Sequence, residues 1–282
     1  ASHIISGSNS KDVRLFAVNK GTLTLKNIII TDLNYNADDK GIIYQNGGNL
    51  VLDNVTFQNS GYKSLIWADG GSLTVTNSYF VNNSGRWGGA ISTAGYLLAG
   101  DDVNTLTVSG STFKENGGLY GAGIFVAGSD FTVSDCVFDK NSAFGKGDMT
   151  PNNNNGGALV VTQGNIPISG TIINSNFTNN KAQYGGAAWI NEGTVDISNS
   201  NFINNTATVE AGAIGFEPAY TKITATVYGT NFINNTAGVD GGAIYSNGDL
   251  RISDSDFDNN KAQKADIIYS NINGLLNING NN

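Results

Sequence analysis

A repeat constrains this chain more than any other feature. Asn199-Ser-Asn-Phe-Ile-Asn-Asn205 returns as Gly229-Thr-Asn-Phe-Ile-Asn-Asn235, Asn174-Ser-Asn-Phe-Thr-Asn-Asn180 and Asp254-Ser-Asp-Phe-Asp-Asn-Asn260. Looser copies centre on Phe57, Phe80, Phe113 and Phe138, and Ile30 takes the Phe position in an earlier one. Three residues after the Phe comes Asn83, Asn116, Asn141, Asn180, Asn205, Asn235 or Asn260; only the Phe57 copy differs, with Ser60. A second element alternates with the first: Gly88-Gly-Ala-Ile91, Gly121-Ala-Gly-Ile124, Gly156-Gly-Ala-Leu159, Gly185-Gly-Ala-Ala188, Gly212-Ala-Ile214 and Gly241-Gly-Ala-Ile244. Between them run segments such as Gly193-Thr-Val-Asp-Ile-Ser198, apolar at every second residue, as in a half-buried strand.

Each unit holds about three short strands separated by Gly or Asn turns, and one unit alone cannot bury its apolar face. Units of this length with three strands suit a coil of β-helix; a propeller blade needs a fourth strand, and leucine-rich segments are missing. The expected fold is therefore an all-β, right-handed parallel β-helix of about ten coils, one domain over 1–282. With strands about 4.8 Å apart, the rod would be about 50 Å long. The Phe residues would form an internal column, and the Asn residues would stack at a turn with their amides bonded along the rod. Composition agrees: 37 Gly serve the turns, and 39% apolar residues against 13% charged leave enough for a core.

The pairing of Gly-Gly-Ala-Ile with Phe-x-x-Asn resembles the repeats of chlamydial polymorphic membrane proteins. The Asn-rich copy Asn201-Phe-Ile-Asn-Asn-Thr-Ala207 also looks like the adhesin-like proteins of methanogenic archaea. The resemblance runs from Thr22 to Asn279 and implies a large extracellular surface protein with a β-helix as adhesive stalk or head. It carries over no catalytic residue. Fold analogy alone does not fix function.

Several classes are disfavoured. A formal charge of −8, with 15 Lys and Arg against 23 Asp and Glu, argues against nucleic acid and against a polybasic membrane patch. No apolar run suits a bilayer span. The opening Ala1-Ser2-His3 lacks a signal-peptide pattern, so a fragment of a longer chain is expected. Cys136, the single cysteine, reads as a small sheet or core residue. An enzyme is not expected: Arg14, Arg86 and Arg251 fall in unrelated parts of the repeat, and His3 has no second histidine. The acidic doublets Asp38-Asp39 and Asp101-Asp102 read as solvated turns, and no metal or cofactor site is expected.

Two features could bind. The residue after the Gly-Gly-Ala-Ile element is aromatic at Tyr44, Trp67, Phe125, Trp189, Tyr245 and Tyr269, with Ser92, Val160 and Gly215 in other copies. Its predecessor is uniformly apolar and placed inward, so alternation points these rings outward as an exposed ladder, unless the two faces are swapped. Extra segments at 143–155, 97–104 and 216–222 would project as loops, offering Phe144, Lys146, Asp148, Asp101, Asp102 and Tyr220. Sequons at Asn54, Asn82, Asn176, Asn204 and Asn234 would lie at coil turns. The leading expectation is an adhesin whose partner is a cell-surface glycan or protein of another cell. The alternatives are a passive stalk and a polysaccharide-active enzyme.

Overall fold

The computed structural model describes residues 3–7, 13–35, 40–62, 64–94, 104–144, 154–162, 167–219, 222–271 and 274–280. The expected coil is there. Each full turn lays down one strand in each of three ten-stranded parallel sheets. In one turn, Ala188–Ile190 follows the Gly-Gly-Ala element, Gly193–Ser198 is the long alternating strand, and Asn201–Ile203 carries the Phe. We call the corresponding sheets the Gly sheet, the long sheet and the Phe sheet. A short corner sheet, Lys181–Tyr184, Thr206–Glu210 and Thr236–Ala237, closes the turn between the Phe and Gly sheets in the later coils.

Register is strict. Phe57, Phe80, Phe113, Phe138, Phe177, Phe202, Phe232 and Phe257 pair in succession, and Ile30 pairs with Phe57 as the Phe substitute. Their rings stack within 9° of parallel, 4.6–5.5 Å apart, which is the strand spacing itself. Apart from Phe257, these rings are fully buried, and they pack against the inward residues of the other two sheets in one continuous core.

The polar ladder explains why Asn recurs. The Asn180 side chain is fully buried. Its Nδ2 donates both to Asn205 Oδ1 in the next coil (3.0 Å) and to Phe138 O in the previous one (3.0 Å). Its Oδ1 accepts from the backbone N–H (2.9 Å) and the Nδ2 (3.0 Å) of Asn141. The same bonds link Asn116, Asn141, Asn205, Asn235 and Asn260. Only a primary amide offers two donors beside an oxygen with two lone pairs, so only Asn fits every one of these demands at that length. Ser60 meets part of them, its hydroxyl accepting from Leu33 N and donating to Gln58 O.

A hydroxyl ladder runs two residues before the Phe. Ser200 Oγ accepts from Ser175 N (3.1 Å) and donates to Ser198 O (2.8 Å). Cys136 occupies this ladder, with its thiol donating to Ser134 O and its N–H bonded to Ser175 Oγ. Burial pushes the thiol up to about 11.

The remaining Asn residues make the corners. Asn199 and Asn204, on either side of the Phe strand, have φ of 48° and 56°. Asn visits this left-handed region more cheaply than most residues, and one such residue turns the chain at each corner. The sequon residues Asn54, Asn82, Asn204 and Asn234 are exposed and sit at these corners. Asn176 instead lies within the strand Asn176–Thr178, where its Oδ1 accepts from Asn201.

The ladders make the cost of a substitution depend on which Asn is changed. Asn180→Ala strands the buried donors of Asn141 and the Phe138 carbonyl, and should cost at least about 3 kcal/mol in urea unfolding. Asn234→Gly, at an exposed corner, should change stability by less than about 0.5 kcal/mol. Cys136 should resist thiol reagents at pH 8 in the folded protein, and Cys136→Ser should melt no lower than wild type.

Candidate functional site

The column after the Gly-Gly-Ala element is in register on the Gly sheet: Tyr44, Trp67, Ser92, Phe125, Val160, Trp189, Gly215, Tyr245 and Tyr269. The preceding residues, Ile43 to Ile268, belong to the central core, whereas Phe125, Val160, Trp189 and Tyr245 form a separate apolar cluster. The column thus points away from the tube, as alternation requires. The expected exposure is not found. Trp67, Phe125, Trp189 and Tyr245 are 4–7% exposed, and only Tyr44 and Tyr269 are half-buried.

In the middle of the column, a second column provides the cover. Four residues before the inward residue of each coil, from Ile91 to Ile268, stands Trp87, Tyr120, Asn155, Tyr184, Glu210, Asp240 or Lys264, and these bridge coil to coil. Trp87 stacks on Tyr120 at 4.5 Å and meets Phe125 at a tilt, 5.2 Å away. Tyr184 meets Trp189 in the same tilted way at 5.5 Å. Trp189 lies flat over Gly215, where an added Cβ would come within 2.1 Å of the indole. That glycine is needed for the ring to settle. The solvent-facing aromatics of this wall are therefore Trp87, Tyr120 and Tyr184, with Tyr44 and Tyr269 toward its ends, and all five are half-buried.

Polar groups flank the rings. Near the first coils, the Arg14 guanidinium sits over Tyr35 and Tyr44 (4.7 and 5.3 Å), and Tyr44 OH donates to Asp69 Oδ2 at 2.8 Å. Asp69 also accepts from the Trp67 indole and pairs with Lys40 at 3.9 Å. Near the last coils, Glu210, Asp240 and Lys264 occupy the outer column, with Lys264 Nζ 3.5 Å from Asp240. Burial holds the Glu210 carboxyl above its ordinary value, helped by the negative charges of Asp240 and Glu217 and opposed by Lys264. Burial also raises Glu217, against hydrogen bonds from Asn247 and Tyr245. The Tyr245 hydroxyl is pushed up to about 12, mainly by burial and then by Glu217 and Glu210.

Sequence reading missed Trp87, Tyr120, Tyr184, Glu210, Glu217 and Asp240. For the outer column the signal was available, since its members recur four residues before the inward residue of each coil. Of the loop candidates, Phe144 is exposed beside the strand ends. Lys146, Asp148, Asp101, Asp102 and Tyr220 lie outside the described residues, as does Asp38-Asp39. Phe216, placed at the edge of an expansion, is instead a fully buried residue of the strand Ile214–Phe216. Among the described residues, no three His, Cys, Asp or Glu side chains gather as metal ligands would. No helix among them is long and apolar enough to cross a membrane.

Comparison with known proteins gives two matches. The family described as a right handed beta helix region matches residues 15–202. The Chlamydia polymorphic membrane protein repeat matches residues 229–247, the copy holding Phe232 and the Gly241-Gly-Ala element. No curated protein and no solved structure matches the chain. The chlamydial half of the repeat resemblance is supported; the likeness to archaeal adhesin-like proteins gains no support.

The raised carboxyls have a stability consequence. A carboxyl whose folded value lies above its unfolded one binds more protons when folded, so its contribution falls as pH rises between the two values. In thermal melts from pH 4 to 7, Glu217→Gln should gain on wild type as pH rises. A constant difference would contradict the assignment.

Proposed function

The chain belongs to the right-handed β-helix family, and from that premise we propose that it is the binding rod of a cell-surface adhesin, attaching to a glycan or protein of another cell. One observation carries this reading: a wall of half-buried rings, Tyr44, Trp87, Tyr120, Tyr184 and Tyr269, lies along the outer side of the Gly sheet. Rings held by their neighbours keep one face for a ligand at little entropic cost, and the flanking carboxylates, amides and cations can bond its hydroxyls. A sugar chain suits such a wall, because each ring offers a stacking platform along the rod. The match to a polymorphic membrane protein repeat supports a surface location.

A second reading, a carbohydrate-active enzyme, draws on Glu210 and Glu217. A carboxyl that keeps its proton to higher pH is the kind a general acid requires. A passive stalk is the third reading and requires no ligand at all.

Glycan-array and whole-cell binding separates them. Trp87→Ala and Tyr184→Ala should each weaken binding about fivefold to tenfold, while Tyr228→Ala, an exposed ring on the long sheet, should not. Binding that survives both wall substitutions would remove the aromatic wall as the site, and absence of any binding would favour the stalk. New reducing or unsaturated ends from polygalacturonate, lost in Glu217→Gln, would favour the enzyme.

A further inference from the structure

A different corner of the rod carries a second feature. Lys140 and Lys181 line a concavity of about 500 Å³ together with Asn141, Ser142, Asn179 and Asn204. It spans three coils where the Phe sheet turns into the corner sheet. Phe138, Phe177 and Phe202 are in register, so Lys140, Asn179 and Asn204, two residues later, stack along the rod. All three adopt the left-handed turn, with φ of 55°, 57° and 56°. Ser142 bridges to Lys181 one coil further on.

The charge pattern is unusual for this acidic chain. Lys26, Lys40, Lys222 and Lys264 each pair with an aspartate. Lys140 and Lys181 are exposed and make no ion pair among the described residues. The adjacent carboxylate, Asp139, is held by Thr178 Oγ1 and Asn179 Nδ2, both at 3.0 Å to its Oδ1. Glu115, stacked one coil before Lys140, pairs instead with Lys114 at 4.0 Å. Two ammonium groups outside any ion pair thus share one concavity with amide and hydroxyl groups. Negative charge more than about 8 Å away is largely screened at physiological salt.

We propose that this groove binds one acidic sugar residue of a polyanionic glycan, its carboxylate or sulfate oxygens taken by Lys140 and Lys181. Asn179, Asn204 and Ser142 supply partners for the ring hydroxyls, and the volume falls in the range of small-ligand sites. The site does not depend on the aromatic wall. Lys181 and Tyr184 stand at opposite ends of a four-residue strand, about 10 Å apart along it.

Calorimetric titration of the whole chain with tetrasaccharides of polygalacturonate and of heparin, and with cellotetraose, tests the assignment. Acidic but not neutral tetrasaccharide should bind. Lys140→Ala and Lys181→Ala should each weaken it about fivefold, Lys181→Arg should retain it, and Tyr228→Ala, on the long sheet, should leave it unchanged. Binding of only the uronate or only the sulfated sugar would support the site and name the group it recognises. Failure of both acidic sugars to bind, or wild-type affinity in the Lys140→Ala/Lys181→Ala double variant, would overturn it. Because both lysines are exposed, melting temperature should be unchanged in the lysine variants.

Discussion

The structure depends on a hydrogen bond that runs along the rod rather than within a coil. At each corner after the Phe strand from Asn83 to Asn260, the chain turns a buried amide side chain inward, and nothing in its own coil can satisfy all of its polar atoms. Asn141, Asn180 and Asn205 solve this by serving one another and the Phe carbonyl of the coil before. Buried polar groups are tolerated only when so satisfied, and a half-satisfied network is worse than none. The ladder therefore fixes the axial register of every coil, and with it the Phe column and the core.

A rod built this way separates two kinds of position. Inside, each site repeats the chemistry of its neighbour, because parallel strands place like on like. Outside, the Gly-sheet wall and the corners are free to vary from coil to coil without disturbing the register. The outer column shows this freedom: it reads Trp, Tyr, Asn, Tyr, Glu, Asp, Lys along the rod over an unchanged interior. Recognition can be written on such a surface while the stability of the tube stays in the ladders.

The same division decides what could be read from the sequence. Coil, register and core were legible because they recur: Ile30 for Phe and Ser60 for Asn stand out as substitutions only against the repeat. Alternation also gave the direction of the Tyr44-to-Tyr269 column correctly. It could not give exposure, because periodicity separates one face of a strand from the other but says nothing of what later folds over the outer face. Trp87 and Tyr184, which cover that column, come from the turn before it. Glu210 and Glu217 were invisible for a related reason. Seven residues apart in sequence, they share a field with Asp240 and Tyr245 of the next coil, and only stacking brings these groups together.

Hydrogen exchange of side-chain amides, read by NMR on the whole chain, tests the axial ladder most directly. The Nδ2 protons of Asn141, Asn180 and Asn205 should exchange only with global unfolding, far more slowly than those of the exposed corner residue Asn204. Equal, fast exchange at Asn180 and Asn204 would show that the buried amides are not bonded from coil to coil, and that something other than the Asn ladder holds the rod in register.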